Sequence, residues 1–331
     1  MQRVFGIVIG GALALAGSVP ATASAAVKIR VGPSLSAVAS SGQFAYVASA
    51  PLSAKAGSLA FVDLPRNRVI GRVHVGHNPM AVAVDSRRRF AYVANYDVKG
   101  SVSVVDLRRR VIARTLPAGK DPGNVQLASR GGRNLLLVEN QGVTEPAKGS
   151  VDVWDLGTMR RIRRLATGFN PIGLALLPGR GQALVGDGNR GFAWVLDLGQ
   201  LRFVKRVPVP AGPVNDIEVG GQRVYVVSVG GISVLRQSTL APLGQVVKPL
   251  KPFDPLTVAV TPSGIGYVVD NGFGMPLAGT VQILAGPRTA GRRTVGQNAI
   301  GIALAQHNTR LVVTSYNEGT LWVIPTPKPS A

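Results

Sequence analysis

The residues best placed to do chemistry in this chain fall into two sets of opposite sign. Within "PVNDIEV", Pro213 to Val219, an amide and two carboxyls stand at Asn215, Asp216 and Glu218, and Asn124 and Gln126 repeat the alternate spacing. Side chains two apart on an extended segment share a face, so each pair presents oxygen to one surface. Glu139 joins them as a lone carboxyl in the apolar run "NLLLVEN"; it must face solvent, find a partner or bind something. Such a set either holds a ligand or organises water. The second set is arginine: Arg87, Arg88 and Arg89; Arg108, Arg109 and Arg110; Arg130 and Arg133; Arg160, Arg161, Arg163 and Arg164. Arginine grips phosphate with two parallel hydrogen bonds. Other chemistries lack their residues. The chain has no Cys, which removes disulfides, thiol nucleophiles and thiolate metal sites together. His74, His77 and His307 are scattered, so neither a nucleophile triad nor a His cluster is indicated, and no catalytic residue is assigned.

What must position these residues is a repeat. Aligned on a Tyr-Val phrase, the chain gives Tyr46, Tyr92, Leu137, Leu184, Tyr225, Tyr267 and Val312, at gaps of 46, 45, 47, 41, 42 and 45 residues. That period is the length of a four-stranded propeller blade. A second anchor keeps the same register at Gly57, Gly100, Gly149, Gly191, Gly230, Gly279 and Gly319. In the second repeat the expected strands are Met80 to Val84, Phe90 to Ala94, Ser101 to Val105 and Val111 to Leu116, broken by "DSRRR", "NYDVKG" and "DLRRR". No stretch shows sustained helical periodicity. The seventh repeat lacks a fourth strand after "GTLWVIP", while "VKIRVG" near the start matches the fourth-strand phrase "GRVHVG". The expected fold is therefore all-β, a seven-bladed β-propeller of four-stranded blades whose last blade is closed by Val27 to Val31. A ring protects the sheet edges that an open stack would expose.

Residues 1–25 read as an export signal, with Arg3 as the single charge, an apolar run from Val4 to Val19, and small residues at an Ala23-x-Ala25 cleavage site. A membrane-retained helix is the rival, but Gly6, Gly10, Gly11 and Gly17 interrupt the run. The expected mature chain is one domain, residues 26–331, without a membrane span, monomeric, and periplasmic or secreted.

The phrase "YVAN…GSVSVVDL…VIARTLPAG" resembles the YVTN-type β-propeller repeat, and the resemblance covers essentially the whole mature chain. It implies an exported seven-bladed propeller and no particular reaction. "PVNDIEV" resembles the Asn-Asp segment that calcium-dependent lactonase propellers place at the channel mouth, with "NPIG", Asn170 to Gly173, as a looser echo. That second likeness implies Ca²⁺ on Asn215 and Asp216 and a hydrolase site, since Ca²⁺ takes six to eight oxygens. Otherwise no cofactor is expected.

Repetition separates scaffold from site. Asn95, Asn140, Asp187 and Asp270, with Ser49, Ser228 and Ser315, recur at the end of the second strand and are expected to bond their own turns. Asp63, Asp106, Asp155 and Asp197 are expected to shape the hairpin to the fourth strand. Departures from the pattern are the site candidates: Ala81 and Ala83 of the second repeat become Asn124 and Gln126 in the third and Asp216 and Glu218 in the fifth. These first strands should line the axis, giving with Glu139 and Asn215 an axial polar cluster. The 37 Lys and Arg against 16 Asp and Glu give +21, or +20 once Arg3 is removed. The arginine runs fall in turns expected on one face, opposite turns that carry Asp97, Glu145, Asp254 and Glu318. Such a face would attract nucleic acid, anionic lipid head groups or acidic polysaccharide. Few aromatics interleave with it, which favours backbone contact over base stacking. The functional expectation is a binding or scaffold protein with a protein or polyanion partner; a calcium-dependent hydrolase is the alternative.

Overall fold

The computed structural model describes residues 26–51, 56–85, 87, 89–143, 149–168, 170–249, 255–270 and 278–326. Arg88, Glu145, Asp254 and the expected signal segment lie outside these. Strand β1 (Val27–Arg30) precedes the first blade, which comprises β2 (Leu35–Ser41), β3 (Phe44–Ser49), β4 (Ser58–Asp63) and β5 (Arg68–His74). Blade two is β6 (Pro79–Val84), β7 (Phe90–Asn95), β8 (Ser101–Asp106) and β9 (Val111–Pro117). Blade three is β10 (Pro122–Arg130), β11 (Arg133–Asn140), β12 (Ser150–Asp155) and β13 (Arg160–Ala166). Blade four is β14 (Pro171–Leu177), β15 (Gln182–Asp187), β16 (Phe192–Asp197) and β17 (Arg202–Pro208). Blade five has β18 (Val214–Gly220), β19 (Arg223–Ser228) and β20 (Gly231–Arg236). Its outer position is filled by irregular chain that bridges back at Ile232↔Val247 and Leu235↔Pro242. Blade six is β21 (Pro255–Val260), β22 (Ile265–Asp270), β23 (Ala278–Ala285) and β24 (Thr289–Gln297). Blade seven is β25 (Ala299–Ala305), β26 (Arg310–Ser315) and β27 (Thr320–Pro325), completed by β1 in antiparallel register from Val27↔Val323 to Arg30↔Thr320. The chain is a seven-bladed β-propeller. Among the described residues no helix is long and apolar enough to cross a membrane.

The recurring phrases follow from position in the blade. Second and third strands are covered on both faces by neighbouring blades, so "FAYVAN" and "SLAFVD" read as continuous apolar runs rather than alternating ones. Each core cluster is shared by adjacent blades: Val195 and Val207 of blade four pack with Ile217 and Val226 of blade five. The tyrosine that opens the phrase can couple blades through its hydroxyl. Tyr225 donates to the Gly264 carbonyl at 2.7 Å and accepts the Gly286 N–H at 3.2 Å. The glycine anchor has a steric cause, since a Cβ on Gly100 would sit 2.1 Å from the Gly119 carbonyl oxygen, in the connection to the next blade. Outer strands bury little: β9 buries only Leu116 and β13 only Leu165, and both expose the rest.

The hairpin aspartates act as expected. Backbone N–H groups of Arg108 and Arg109 donate to Asp106, and those of Gly157 and Thr158 to Asp155. The residues ending the second strands differ from expectation. Asp187 accepts from its own turn, at the N–H of Asn189 and Arg190. By contrast Ser49, Ser228 and Ser315 donate to Pro33, Gly212 and Gln297, and Asn140 accepts the Gly119 N–H. Pro33, Gly212 and Gly119 lie in the connection entering the blade and Gln297 ends β24 of the preceding one, so these side chains latch the blade to the chain that enters it.

Candidate functional site

The inner strands β2, β6, β10, β14, β18, β21 and β25 carry a register slip near their start, for example Pro122/Asn124 and Val214/Asp216. A bulge leaves a residue unpaired and bends the strand, a common device at barrel rims. Here the bulged positions, among them Ser36, Met80, Gly123 and Asn215, surround an axial cavity of about 560 Å³. Asn124, Gln126, Glu139, Asn215, Asp216 and Glu218 all line it, within walls of residues such as Ala37, Val82, Ile172 and Leu256. Gln126 and Glu218 also reach a second lobe of about 430 Å³. Among the described residues lining the two lobes there is no Lys, Arg, His or aromatic side chain. A chain rich in cations thus has a channel whose formal charges are all acidic.

The three carboxyls are held differently. Asp216 is fully engaged: Oδ1 accepts the Ile217 N–H at 2.9 Å, and Oδ2 accepts the Thr257 hydroxyl at 2.7 Å and the Val258 N–H at 3.0 Å. The Asn215 amide donates to the Pro255 carbonyl at 3.0 Å. The Asn-Asp phrase therefore clamps blade five to blade six. Burial raises the Asp216 carboxyl to about 6 against these donors. Glu218 is pushed to about 8, first by burial and then by the charge of Asp216. The side chains of Asp216 and Glu218 keep partial exposure, but to the channel interior, so protein encloses their carboxyls.

Glu139 is the least satisfied. It is 1% exposed, and neither carboxyl oxygen has a hydrogen-bond partner of full geometry. Gln141 and the Gly173 N–H approach closely enough to favour its charge, yet burial dominates and its carboxyl lies well above the ordinary range. Asn124 is opposite it in the β10–β11 register. Gly173 brings blades four and five together here. Its φ is +81°, and a Cβ would lie 3.0 Å from the Ile217 nitrogen and 3.1 Å from the Asp216 Cα.

The arginines occupy a different surface. Arg87 and Arg89, Arg108 to Arg110, and Arg130 with Arg133 are exposed in or beside the turns after first and third strands. Arg160, Arg161, Arg163 and Arg164, expected in a turn, instead form the outer strand β13. An edge strand with solvent on one side needs little apolar alternation, so Leu165 suffices to seat it. Asp152, fully buried, accepts two bonds from Arg164 at 2.5 and 2.7 Å and lies 3.6 Å from Arg161. Several basic side chains also staple blades: Arg110 donates to the Ile70 carbonyl at 2.6 Å and Arg180 to those of Gln237 and Ser238. Sequence reasoning missed these staples, because a turn arginine reads the same whether it reaches solvent or a neighbouring carbonyl. Outer-strand cations rest on the tryptophans as well, with Lys28 4.2 Å from the Trp322 ring centre and Arg206 5.6 Å from that of Trp194. His77 pairs with Asp97 at 3.2 Å.

No family model and no curated protein matches this chain. Among solved structures it is similar to hydrazine synthase of Kuenenia stuttgartiensis, at 18% identity and a TM-score of 0.72, covering 89% of this chain and 96% of that one. It is also similar to the WD40 repeats of RRP9, at 13% identity and a TM-score of 0.70, with 91% and 97% covered. The structure of U3-55K matches at 14% identity and a TM-score of 0.70, with 91% and 98% covered. The likeness is one of fold. At these identities it carries no activity or ligand across, and the YVTN resemblance rests on the repeat residues alone.

Proposed function

We propose that this propeller is a binding scaffold that engages an acidic polymer through its arginine-rich turns and rim. One observation carries the reading: outer strands β1, β5, β9, β13, β17 and β24 together hold fourteen Lys and Arg residues and no Asp or Glu. Charged edge strands also resist edge-to-edge aggregation, but that role would be served by either sign. A rim of one sign, continuous with turns bearing Arg87, Arg89, Arg108 and Arg109, favours long anionic partners such as nucleic acid, acidic polysaccharide or an anionic lipid surface. The tryptophans beside these cations are already covered by them, Trp154 by Arg161, Trp194 by Arg206 and Trp322 by Lys28, which favours contact with the partner's charges over stacking on its bases.

Retention of the full chain on heparin should weaken steeply and linearly in log salt, with a slope reporting several released counterions. Charge reversal at the exposed pair Arg160→Glu and Arg163→Glu should lower both affinity and slope. Salt-independent retention, or a double variant that binds as tightly as the parent, overturns the proposal. We further propose export to the periplasm or beyond. Intact mass of the chain recovered from the exported fraction should then begin at Ala26; a mass retaining Met1 would contradict this.

A further inference from the structure

We propose that the axial cavity is a binding site for a small primary alkylammonium ion, with the ammonium at Glu139 and the alkyl body against the apolar channel wall. The strongest ground is Glu139 itself, a nearly fully buried carboxyl that lines the cavity and leaves both oxygens without a proper donor. Leaving a buried acceptor unpaired costs about 1–3 kcal/mol, more for a charged one, so a donor from outside has an unmet demand to satisfy. The second ground is charge segregation, since no described cation of the protein reaches the channel to supply that donor.

The character of the walls selects the ligand. Ca²⁺ needs six to eight converging oxygens, whereas both oxygens of Asp216 already accept hydrogen bonds within the protein. Among the described residues no group of three or more acidic or His side chains converges as a metal cluster would. A quaternary ammonium is recognised by aromatic faces, and no aromatic lines the cavity. A primary ammonium offers three N–H donors, which the Glu139 oxygens and the facing Asn124 side chain can accept. Its alkyl chain would lie against the apolar part of the wall, beginning with Ile172 on the adjacent blade, the usual division of labour in a small-molecule pocket.

The titratable groups facing Glu139 across the cavity are Asp216 and Glu218 on β18; β10 and β14 contribute Asn124, Gln126, Ile172 and Gly173. Neither neighbour opposes a cation; Asp216 supplies negative potential above about pH 6, and Glu218 adds to it only above about pH 8. Burial raises the Glu139 carboxyl while an ammonium beside it favours the charged form, so binding should be coupled to proton release and affinity should tighten as pH rises.

The test is calorimetric titration of the full chain with n-butylammonium, tetramethylammonium and Ca²⁺ as separate probes, in two buffers of different ionisation enthalpy. n-Butylammonium should bind with proton release and at least tenfold more tightly than tetramethylammonium. Glu139→Gln should weaken n-butylammonium at least tenfold while leaving heparin retention unchanged, and its cooperative melting would show that it folds. A second variant, Asn124→Ala, should weaken binding less. Equal affinity of parent and Glu139→Gln, binding of Ca²⁺ in place of n-butylammonium, or no preference over tetramethylammonium overturns the proposal. The Ca²⁺ titration also tests the hydrolase alternative raised by Asn215 and Asp216.

Discussion

A chain carrying Ile29→Asp should melt at least about 10 °C below the parent, while Ile112→Asp should melt within a degree or two of it. Both isoleucines lie on outermost strands. Ile29, however, is 3% exposed and packs in the seam between blades seven and one with Val62, Val312 and Leu321. Ile112 is 37% exposed on β9. Truncating a buried isoleucine costs about 2–5 kcal/mol, and placing an unpaired charge there adds desolvation. The seam also holds bonds that the substitution would strain: Val31 and Gly32 donate to the Gly319 carbonyl, and Arg72 donates to the Val31 carbonyl. Thermal melts followed by circular dichroism decide the matter. Equal melting of the two variants would mean that closure through β1 contributes little to the ring.

The second large effect is a stability that declines as pH rises. Asp216, Glu218 and Glu139 all have folded values above those of the unfolded chain, at about 6, about 8 and well above the ordinary range. Between unfolded and folded values the native state binds more protons than the unfolded one, so this stabilisation is full below about pH 4 and lost through about pH 8. Asp106 and Asp155 act oppositely. Backbone donors lower them, so their contribution is present above the unfolded value and fades as acid protonates them. Stability should therefore peak near pH 5. Between pH 5 and pH 9 the melting temperature should fall by roughly 5 °C, at about 2–4 °C per kcal/mol and allowing for water in the channel. Glu218→Gln should flatten that fall and melt higher than the parent at pH 9. Parallel profiles for parent and variant would remove Glu218 from the account.

The blade pattern was legible because each blade solves the same problem. A strand covered on both faces must be apolar throughout, and a glycine must stand where the next connection crosses, as at Gly100. Blade-two strands accordingly fall within a residue of their expected bounds. The axial cluster could be placed by comparing Ala81 and Ala83 with their polar counterparts, since a first strand's face is fixed by its alternation. Two things were not legible. Asn140 has the look of a local turn former, but its partner Gly119 lies 21 positions earlier, brought near by the β10–β11 ladder that sets Pro122 opposite Asn140. The engagement of Asp216 was equally hidden, because Thr257 and Val258 belong to another blade. Sequence alone left the Asn-Asp phrase open as a ligand set; its neighbours make it a clamp.

The pairing of β1 with β27 also dictates an order of events during synthesis. Most other sheet contacts join strands close in sequence, so each blade can form soon after its own residues emerge. Val27 must wait for Val323, almost the whole length of the chain, before its ladder can form. Contacts of such separation form slowly because loop closure must precede their reward. Until then the product is an open arc with Ile29 and Val31 uncovered at one end and, at the other, the edge of β27 that faces away from β26 left without a partner. The interval before closure is therefore when a second chain's β1 could take the place of the chain's own, and it lengthens as translation slows.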